Sequence, residues 1–326
     1  MSDSVLARSP VTAVHFAGLP FPSLITQEGD QAVRRFVEYF TAHIRNRNTR
    51  AAYAQAVSQF FAWAERQGFG LRQLSPIIIA RYVEQTSLRL APPSVKQHLA
   101  AIRMLCDWLV IGQILPMNPA ASVRGPKHVV KKGKTPVLSA SDTRVLLDSI
   151  DLTELIGLRD RAVIGVMVYS FARVSAVVGM NGADYYQNGK RSWLRLHEKG
   201  GKFQEIPVHH NAELYLDEYL QAAGITDEKK GPLFRSGVGR TGRLSDARMS
   251  RSDVLRMIKR RAEEAELAAS TSCHTFRATG ITAYLSNGGT IEKAQAIAGH
   301  ESPRTTKLYD RTKDEITLDE IERIII

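Results

Sequence analysis

The sequence predicts a mainly helical protein with one small antiparallel β-sheet, divided into two domains. Three observations carry that expectation. Four amphipathic helical stripes follow one another between about residues 31 and 109. A stretch from Arg124 to Lys134 then holds five cations, no acid and two glycines, the composition of a flexible connector. Beyond it, helical patterns surround a single pair of alternating segments at Trp193-Leu194-Arg195-Leu196 and Phe203-Gln204-Glu205-Ile206-Pro207-Val208, which reads as a β-hairpin.

Taken in order, residues 1–27 show no sustained period, and Pro10, Pro20 and Pro22 discourage long elements, so an extended arm is expected. Residues 28–123 form the first domain. Val33, Phe36, Val37 and Phe40 follow helical spacing from Gln31 to Ile44, and a second helix starts near Thr49 as N-cap and carries Tyr53, Val57, Phe60, Phe61 and Ala64 until Gly68. A third runs from Pro76 to Gln85. The fourth follows Pro92-Pro93 with Ser94 as cap, and Val95, Leu99, Ile102, Cys106 and Leu109 form its core stripe. Four such helices make a compact helical domain. Its outward faces carry Arg45, Arg47, Arg50, Lys96, His98 and Arg103, placed near helix starts where phosphates would be met. The connector, residues 124–138, adds Lys127, Lys131, Lys132 and Lys134 as cations able to track a DNA backbone.

The second domain, residues 139–314, opens with a helix from Ser141 to Ile150 capped by Ser139 or Ser141. Another helix, from Gly157 to about Met180, is too apolar to lie on a surface, and it contains Arg173. An interior arginine needs an anionic or hydrogen-bonding partner, and a phosphate would supply one. Helices follow at Ala212 to Ala223 and Arg251 to Leu267. The intervening Arg235 to Arg248, rich in Gly, Arg and Ser, is expected to meet DNA or solvent. The tail, residues 315–326, ends in three isoleucines. Exposed, it would invite aggregation, so it is expected to dock as a helix on its own domain or on a neighbouring protomer.

Composition narrows the partners. Lys and Arg exceed Asp and Glu by 44 to 33, a net charge of +11, which favours a polyanion. No apolar run approaches the roughly 20 residues of a membrane span, and the N-terminus lacks a signal-peptide layout, so a cytoplasmic protein is expected. Two cysteines, Cys106 and Cys273, exclude a disulfide framework, and Cys273 beside His274 falls short of the convergent ligands a metal needs.

The chemistry concentrates near the C-terminus. His274-Thr275-Phe276-Arg277 places a histidine and an arginine on one helix face, with Thr271 or Ser272 positioned to cap that helix. A helix start with those cations suits a phosphate. Ala294, Ile297 and Ala298 read as the buried face of a short helix that stops at Gly299, leaving His300 at a turn where its ring can point into a cleft. Nine residues further, after the polar surface segment Pro303-Arg304-Thr305-Thr306, stands Tyr309. A phenol is a poor nucleophile near neutrality unless cations stabilise the phenolate or a base takes its proton. Arg277, His274 and His300 are candidates for that work.

Each of these residues alone has an ordinary explanation as a core or surface side chain. Together, His-x-x-Arg, Gly-His and the tyrosine nine residues on resemble the C-terminal signature of the tyrosine recombinases, the phage integrase family. The resemblance spans residue 28 to the end. It implies a four-helix, SAM-like core-binding domain and an α+β catalytic domain of the tyrosine recombinase and type IB topoisomerase fold. It also implies Arg173 as a further catalytic arginine and Lys199 as the hairpin lysine, with Lys202 in reserve. Members often carry a carboxylate three residues after that arginine. This chain has Ala176, and Asp184 or Glu198 would have to orient Arg173 instead.

The implied reaction is attack of Tyr309 on a DNA phosphodiester to give a 3′-phosphotyrosyl bond, with no metal or ATP required. Arg173 and Arg277 would hold the nonbridging oxygens. His274 would act as general base or phosphate ligand, His300 as hydrogen-bond donor and Lys199 as general acid. The implied partners are double-stranded DNA with short inverted-repeat core sites, a homo-tetramer on that DNA, and an accessory recombinase or directionality factor. The short N-terminal arm favours a simple recombinase of a bacterial mobile element. The alternatives are a type IB topoisomerase and a non-catalytic DNA-binding accessory protein.

Overall fold

The computed structural model describes residues 21–129, 133–198, 201, 203–239, 241–310 and 322. The arm through residue 20, Lys131, Lys132, Lys199, Lys202 and all of the C-terminal tail but Glu322 lie outside the described residues. The chain divides into two compact units, Met1–Val129 and Val130–Ile326.

Among the described residues, the regular secondary structure of the first unit is all helical. A short α1 (Ser23–Thr26) precedes α2 (Asp30–Glu38), which widens into a π-helical turn over Tyr39–His43. Next come α3 (Arg47–Arg66), α4 (Pro76–Ser87) and α5 (Pro92–Ile111). Phe36, Tyr39, Phe40, Phe60, Phe61, Trp63 and Tyr82 form an aromatic core. The cap of α3 is Asn46, not Thr49: its Oδ1 accepts from the N–H groups of Asn48 at 3.0 Å and Thr49 at 3.2 Å. Ser94 does not cap α5 either. That helix begins on Pro92-Pro93, at positions whose N–H would have no intrahelical acceptor.

The expected row of DNA-facing cations is broken in this unit. Arg45, Arg47, Lys96 and Lys127 are exposed. Arg50 instead donates Nε and Nη2 to the Ile44 carbonyl at 3.0 and 2.8 Å, closing the end of the preceding helix. Arg103 donates to the Ala120 and Val123 carbonyls at 3.3 and 2.8 Å, holding the segment after α5. His98 is buried, and its Nδ1 lies 2.9 Å from the Tyr82 hydroxyl. Residues through Val129 belong to the first unit, whereas in the second the Gly133 N–H donates to the Leu308 carbonyl at 3.0 Å and Lys134 is exposed.

In the second unit α6 (Ala140–Asp148) is capped by Ser139, whose Oγ accepts from the Asp142 N–H at 2.9 Å. Helix α7 (Leu155–Tyr169) is buried on nearly every side, as its composition predicts. It does not continue to Met180. The chain breaks at Ser170–Arg173 and restarts as α8 (Val174–Gly179). Phe171 adopts a left-handed φ of 53°, and the Ser170 hydroxyl donates to the Val166 carbonyl and accepts from the Ala172 N–H. Apolar residues are buried on both sides of this break, so periodicity runs through it without a signal.

Strands β1 (Tyr185–Asn188), β2 (Arg191–His197) and β3 (Phe203–Pro207) form an antiparallel sheet in that order. Leu194 stands opposite both Tyr185 and Ile206. Helix α9 (His210–Ala223) follows, then a ribbon of β4 (Arg235–Gly237) and β5 (Leu244–Arg248), and α10 (Arg251–Glu264). Two arginines of the ribbon are engaged by partners within the unit, Arg235 buried and Arg248 exposed. Arg235 is buried and pairs with Glu228 and with Asp246 at 2.9 Å, and Arg248 donates to the Val178 and Met180 carbonyls at 2.6 and 2.7 Å. Fully buried Asp160 on α7 accepts from Arg159 at 2.6 Å and from Arg260 and Arg261 of α10 at 2.9 Å, joining the two helices.

The chain ends, as described, with α11 (Cys273–Ser286), α12 (Ile291–Ala298) and the short α13 (Pro303–Lys307). No helix among the described residues is long and apolar enough to cross a membrane. Helix α11 crosses α7 at Gly280, where a Cβ would fall 2.1 Å from the Val168 carbonyl oxygen and 2.8 Å from the Phe171 ring. A backbone oxygen cannot give way as a side-chain tip would. Gly280→Ala is therefore expected to force the helices apart at a loss of about 1–3 kcal/mol, read as a lowered urea midpoint.

Candidate active site

The site grows from the start of α11. Ser272 is its extended N-cap, and the Ser272 N–H donates to the Thr275 hydroxyl at 3.0 Å. His274 in the first turn is exposed at the rim, whereas Arg277, one turn on, is buried to 2% exposure. The Arg277 guanidinium donates Nη1 to the Phe171 carbonyl and Nη2 to the Ala298 carbonyl, the latter at 2.6 Å. It thus joins the break after α7 to the end of α12.

That end of α12 is shaped by Gly299, whose φ of 58° turns the chain where a Cβ would be strained. The turn carries His300 inward to 7% exposure, with Nδ1 2.9 Å from the Thr306 hydroxyl. Thr306 is itself fully buried, whereas Pro303, Arg304 and Thr305 are exposed, so the segment lies on the surface as a short helix with one threonine turned inward. Ser302 caps it and the chain then delivers Tyr309. The Tyr309 ring stacks on His300 with centroids 5.8 Å apart and planes 11° apart. Its carbonyl accepts from the Thr282 hydroxyl at 2.9 Å, and its ring packs on the small cluster of Phe171, Ile281, Leu285, Ala294 and Ala298.

Arg173 reaches the same place from the start of α8. It is an N-cap residue in extended conformation, not an interior helical residue as the periodicity implies, and its side chain is 33% exposed. Its Nη1 donates to Glu198, just beyond β2. Asp184, the other carboxylate the sequence offers to Arg173, is occupied elsewhere, by His197 Nε2 at 3.1 Å and the Asn181 N–H at 2.8 Å. Gln204 on β3 has no counterpart in the sequence reading. Its Nε2 donates to the Ala296 and Ile297 carbonyls at 2.5 and 2.7 Å, fastening the sheet to the end of α12. That contact spans about ninety residues of sequence, and no local pattern announces it.

Arg173, His274, Arg277, His300 and Tyr309 are therefore brought together, while Lys199 and Lys202 fall outside the described residues. The electrostatics record the crowding. Burial, then Arg173, pulls the Arg277 pKa down to about 10, with Tyr309 and Glu198 acting in the opposite sense. Burial, then Arg277 and Arg173, pulls His300 down to about 4 and holds His274 below the usual histidine range. At neutral pH Arg277 remains charged and both histidines are neutral.

A histidine held neutral in the fold links stability to pH. The unfolded chain takes up a proton near pH 6.5 and the folded chain only near 4, so stability present above pH 6.5 is lost as the pH falls toward 4. For His300 this loss is about 2 kcal/mol between pH 7 and 5. His300→Gln is expected to flatten that part of the profile, measured by urea unfolding at both pH values.

Comparison with known proteins identifies the family. The model of the phage integrase family matches residues 136–315, and that of the phage integrase N-terminal SAM-like domain matches residues 33–112. A tyrosine recombinase XerC from Salmonella typhi is 28% identical over 262 residues, which cover 79% of this chain and 82% of that protein. A XerD from Chlorobaculum tepidum is 25% identical over 289 residues, covering 86% and 91%. In fold, the chain is similar to the XerH site-specific recombinase bound to difH substrate, with a TM-score of 0.67 at 15% identity over 93% of this chain and 95% of that one. It is similar also to a lambda integrase dimer bound to a COC′ core site, with a TM-score of 0.66 at 18% identity over 88% and 79%. A family model matched over more than half of the chain, on the unit that gathers Arg173, Arg277, His300 and Tyr309, establishes that the protein belongs to the phage integrase family, that of the tyrosine recombinases.

Proposed function

We propose that the protein is a site-specific DNA recombinase that cleaves and rejoins duplex DNA through a 3′-phosphotyrosyl intermediate. One observation carries the reading: Tyr309 stacks on His300 beside buried Arg277 within one chain, so nucleophile and phosphate-binding groups are already assembled. The Tyr309 oxygen attacks phosphorus, the bond from phosphorus to the 5′-oxygen breaks, and the tyrosyl ester preserves the bond energy for religation. For that reason neither ATP nor a metal ion is needed. Arg277, committed to two carbonyls, offers its remaining N–H groups to one nonbridging oxygen, and Arg173 addresses the other. Their charge matters most where charge develops in the transition state.

His300 is neutral in the free protein, and the Thr306 hydroxyl can donate to its Nδ1. The ring proton then sits on Nε2, available to a phosphate oxygen. His274, at the rim, receives the phenolic proton or binds the phosphate, and Lys199 protonates the departing 5′-oxygen. In this reading residues 28–123 and 139–314 are the core-binding and catalytic domains, joined by residues 124–138. Exposed Arg45, Arg47, Lys96, Lys127 and Lys134, with Lys131 and Lys132, meet the DNA backbone.

The substrate would be duplex DNA with short inverted-repeat core sites in a bacterial cytoplasm. Recombination of two such sites calls for four active sites, and one fold relative is a lambda integrase tetramer bound to a Holliday junction. A homo-tetramer with residues 315–326 docked on a neighbouring protomer, assisted by a partner recombinase or directionality factor, follows from the same reading.

Tyr309→Phe is expected to abolish the covalent protein–DNA adduct on nicked suicide duplexes, in buffer without metal or nucleotide, while DNA affinity stays within about twofold. Denaturing gels with peptide mapping read the adduct and gel shift reads the affinity. Cleavage by the phenylalanine variant would remove Tyr309 from the reaction.

A further inference from the structure

Arg173 has a problem of aim that its own helix does not solve. It caps α8 with a side chain one-third exposed, and a long exposed side chain samples many rotamers. A guanidinium recognises a phosphate through paired N–H groups only while its plane is held, so an acceptor must engage it on another edge. One turn along α8 stands Ala176, buried and without a polar atom. The acceptor comes from a different element. Glu198 follows the last residue of β2, its side chain is only 8% exposed, and it accepts from Arg173 Nη1.

The seat of Glu198 is equally specific. Its Cγ lies 3.8 Å from where a Cβ on Gly299 would stand, so it is lodged between Arg173 and the turn that presents His300. Its charge also acts on Arg277 in the sense opposite to Arg173, offsetting the repulsion between the two guanidinium groups. Gln204 on the neighbouring strand holds the other side of the same turn.

We propose that Glu198 is the positioning residue for Arg173 in strand cleavage, a carboxylate supplied by the β-hairpin where α8 provides none. The proposal rests on the recombinase reading above. Glu198 touches neither the phosphate nor Tyr309; it fixes the plane of Arg173 so that both phosphate-directed N–H groups arrive together.

The test uses the full chain and a nicked suicide duplex carrying the inverted repeats nearest its own coding sequence, under single-turnover conditions. Glu198→Gln keeps the shape and one acceptor oxygen but loses the charge. It is expected to slow adduct formation about tenfold to a hundredfold, the scale of misplacing a reacting group. DNA affinity and thermal midpoint should stay close to those of the parent. Glu198→Asp should recover part of the rate. The deciding readout is coupling: in an Arg173→Lys background, Glu198→Gln should slow the reaction little further, because the residue through which it acts is already impaired. An equal fractional loss in both backgrounds, or no loss in Glu198→Gln alone, overturns the proposal. Failure of the parent protein to form any adduct at Tyr309 instead overturns the recombinase reading, and the proposal with it.

Discussion

The second unit is organised around one buried charge. The Arg277 guanidinium sits almost wholly out of water, and its two observed acceptors are main-chain carbonyls, of Phe171 and Ala298. A buried cation is tolerated only where its N–H groups are satisfied, and neutral carbonyls satisfy the geometry without neutralising the charge. The unusual local features of the unit serve that arrangement. The left-handed Phe171 exposes one carbonyl, the left-handed Gly299 frees the other, and Gly280 lets α11 approach α7 closely enough for the side chain to reach both.

An arginine held in this way leaves the site short of negative charge. Arg173 stands near enough to depress Arg277, His274 and His300, and against these cations the ion pair from Glu198 is the carboxylate contribution that the geometry records. Such a site is at odds with itself until an anion enters. A phosphodiester would relieve the repulsion, and its oxygens would accept the N–H groups that the carbonyls leave free. The same cations that disfavour protonated histidines are placed to meet negative charge as it develops on a phosphate, so binding and transition-state stabilisation draw on one charge distribution.

The first unit shows why a list of cations is a poor map of an interface. Arg50 and Arg103, spaced along helices like their exposed neighbours, spend their guanidinium groups on the carbonyls of chain ends, and His98 completes a buried contact with Tyr82. In the ribbon of the second unit Arg235 is taken up by the carboxylates of Glu228 and Asp246, and Arg248 by the carbonyls of Val178 and Met180. A net positive charge establishes affinity for a polyanion, but which cations remain free is decided by where unpaired carbonyls and carboxylates fall.

The sequence by itself marked most of the helices, the β2–β3 hairpin and the candidate groups of the site, because periodicity and a fixed spacing of His274, Arg277, His300 and Tyr309 are local properties of the chain. It could not show the break at Ser170–Arg173, since residues on both sides are apolar and a buried break leaves no polar signal. It could not choose between Asp184 and Glu198 as the partner of Arg173, nor foresee Gln204 and Thr306 behind the Gly299-His300 turn. Those contacts join residues far apart in the chain or hidden within a polar stretch. Only the tertiary structure decided them, because whether a side chain meets a phosphate, a carbonyl or a carboxylate depends on which distant elements are packed beside it.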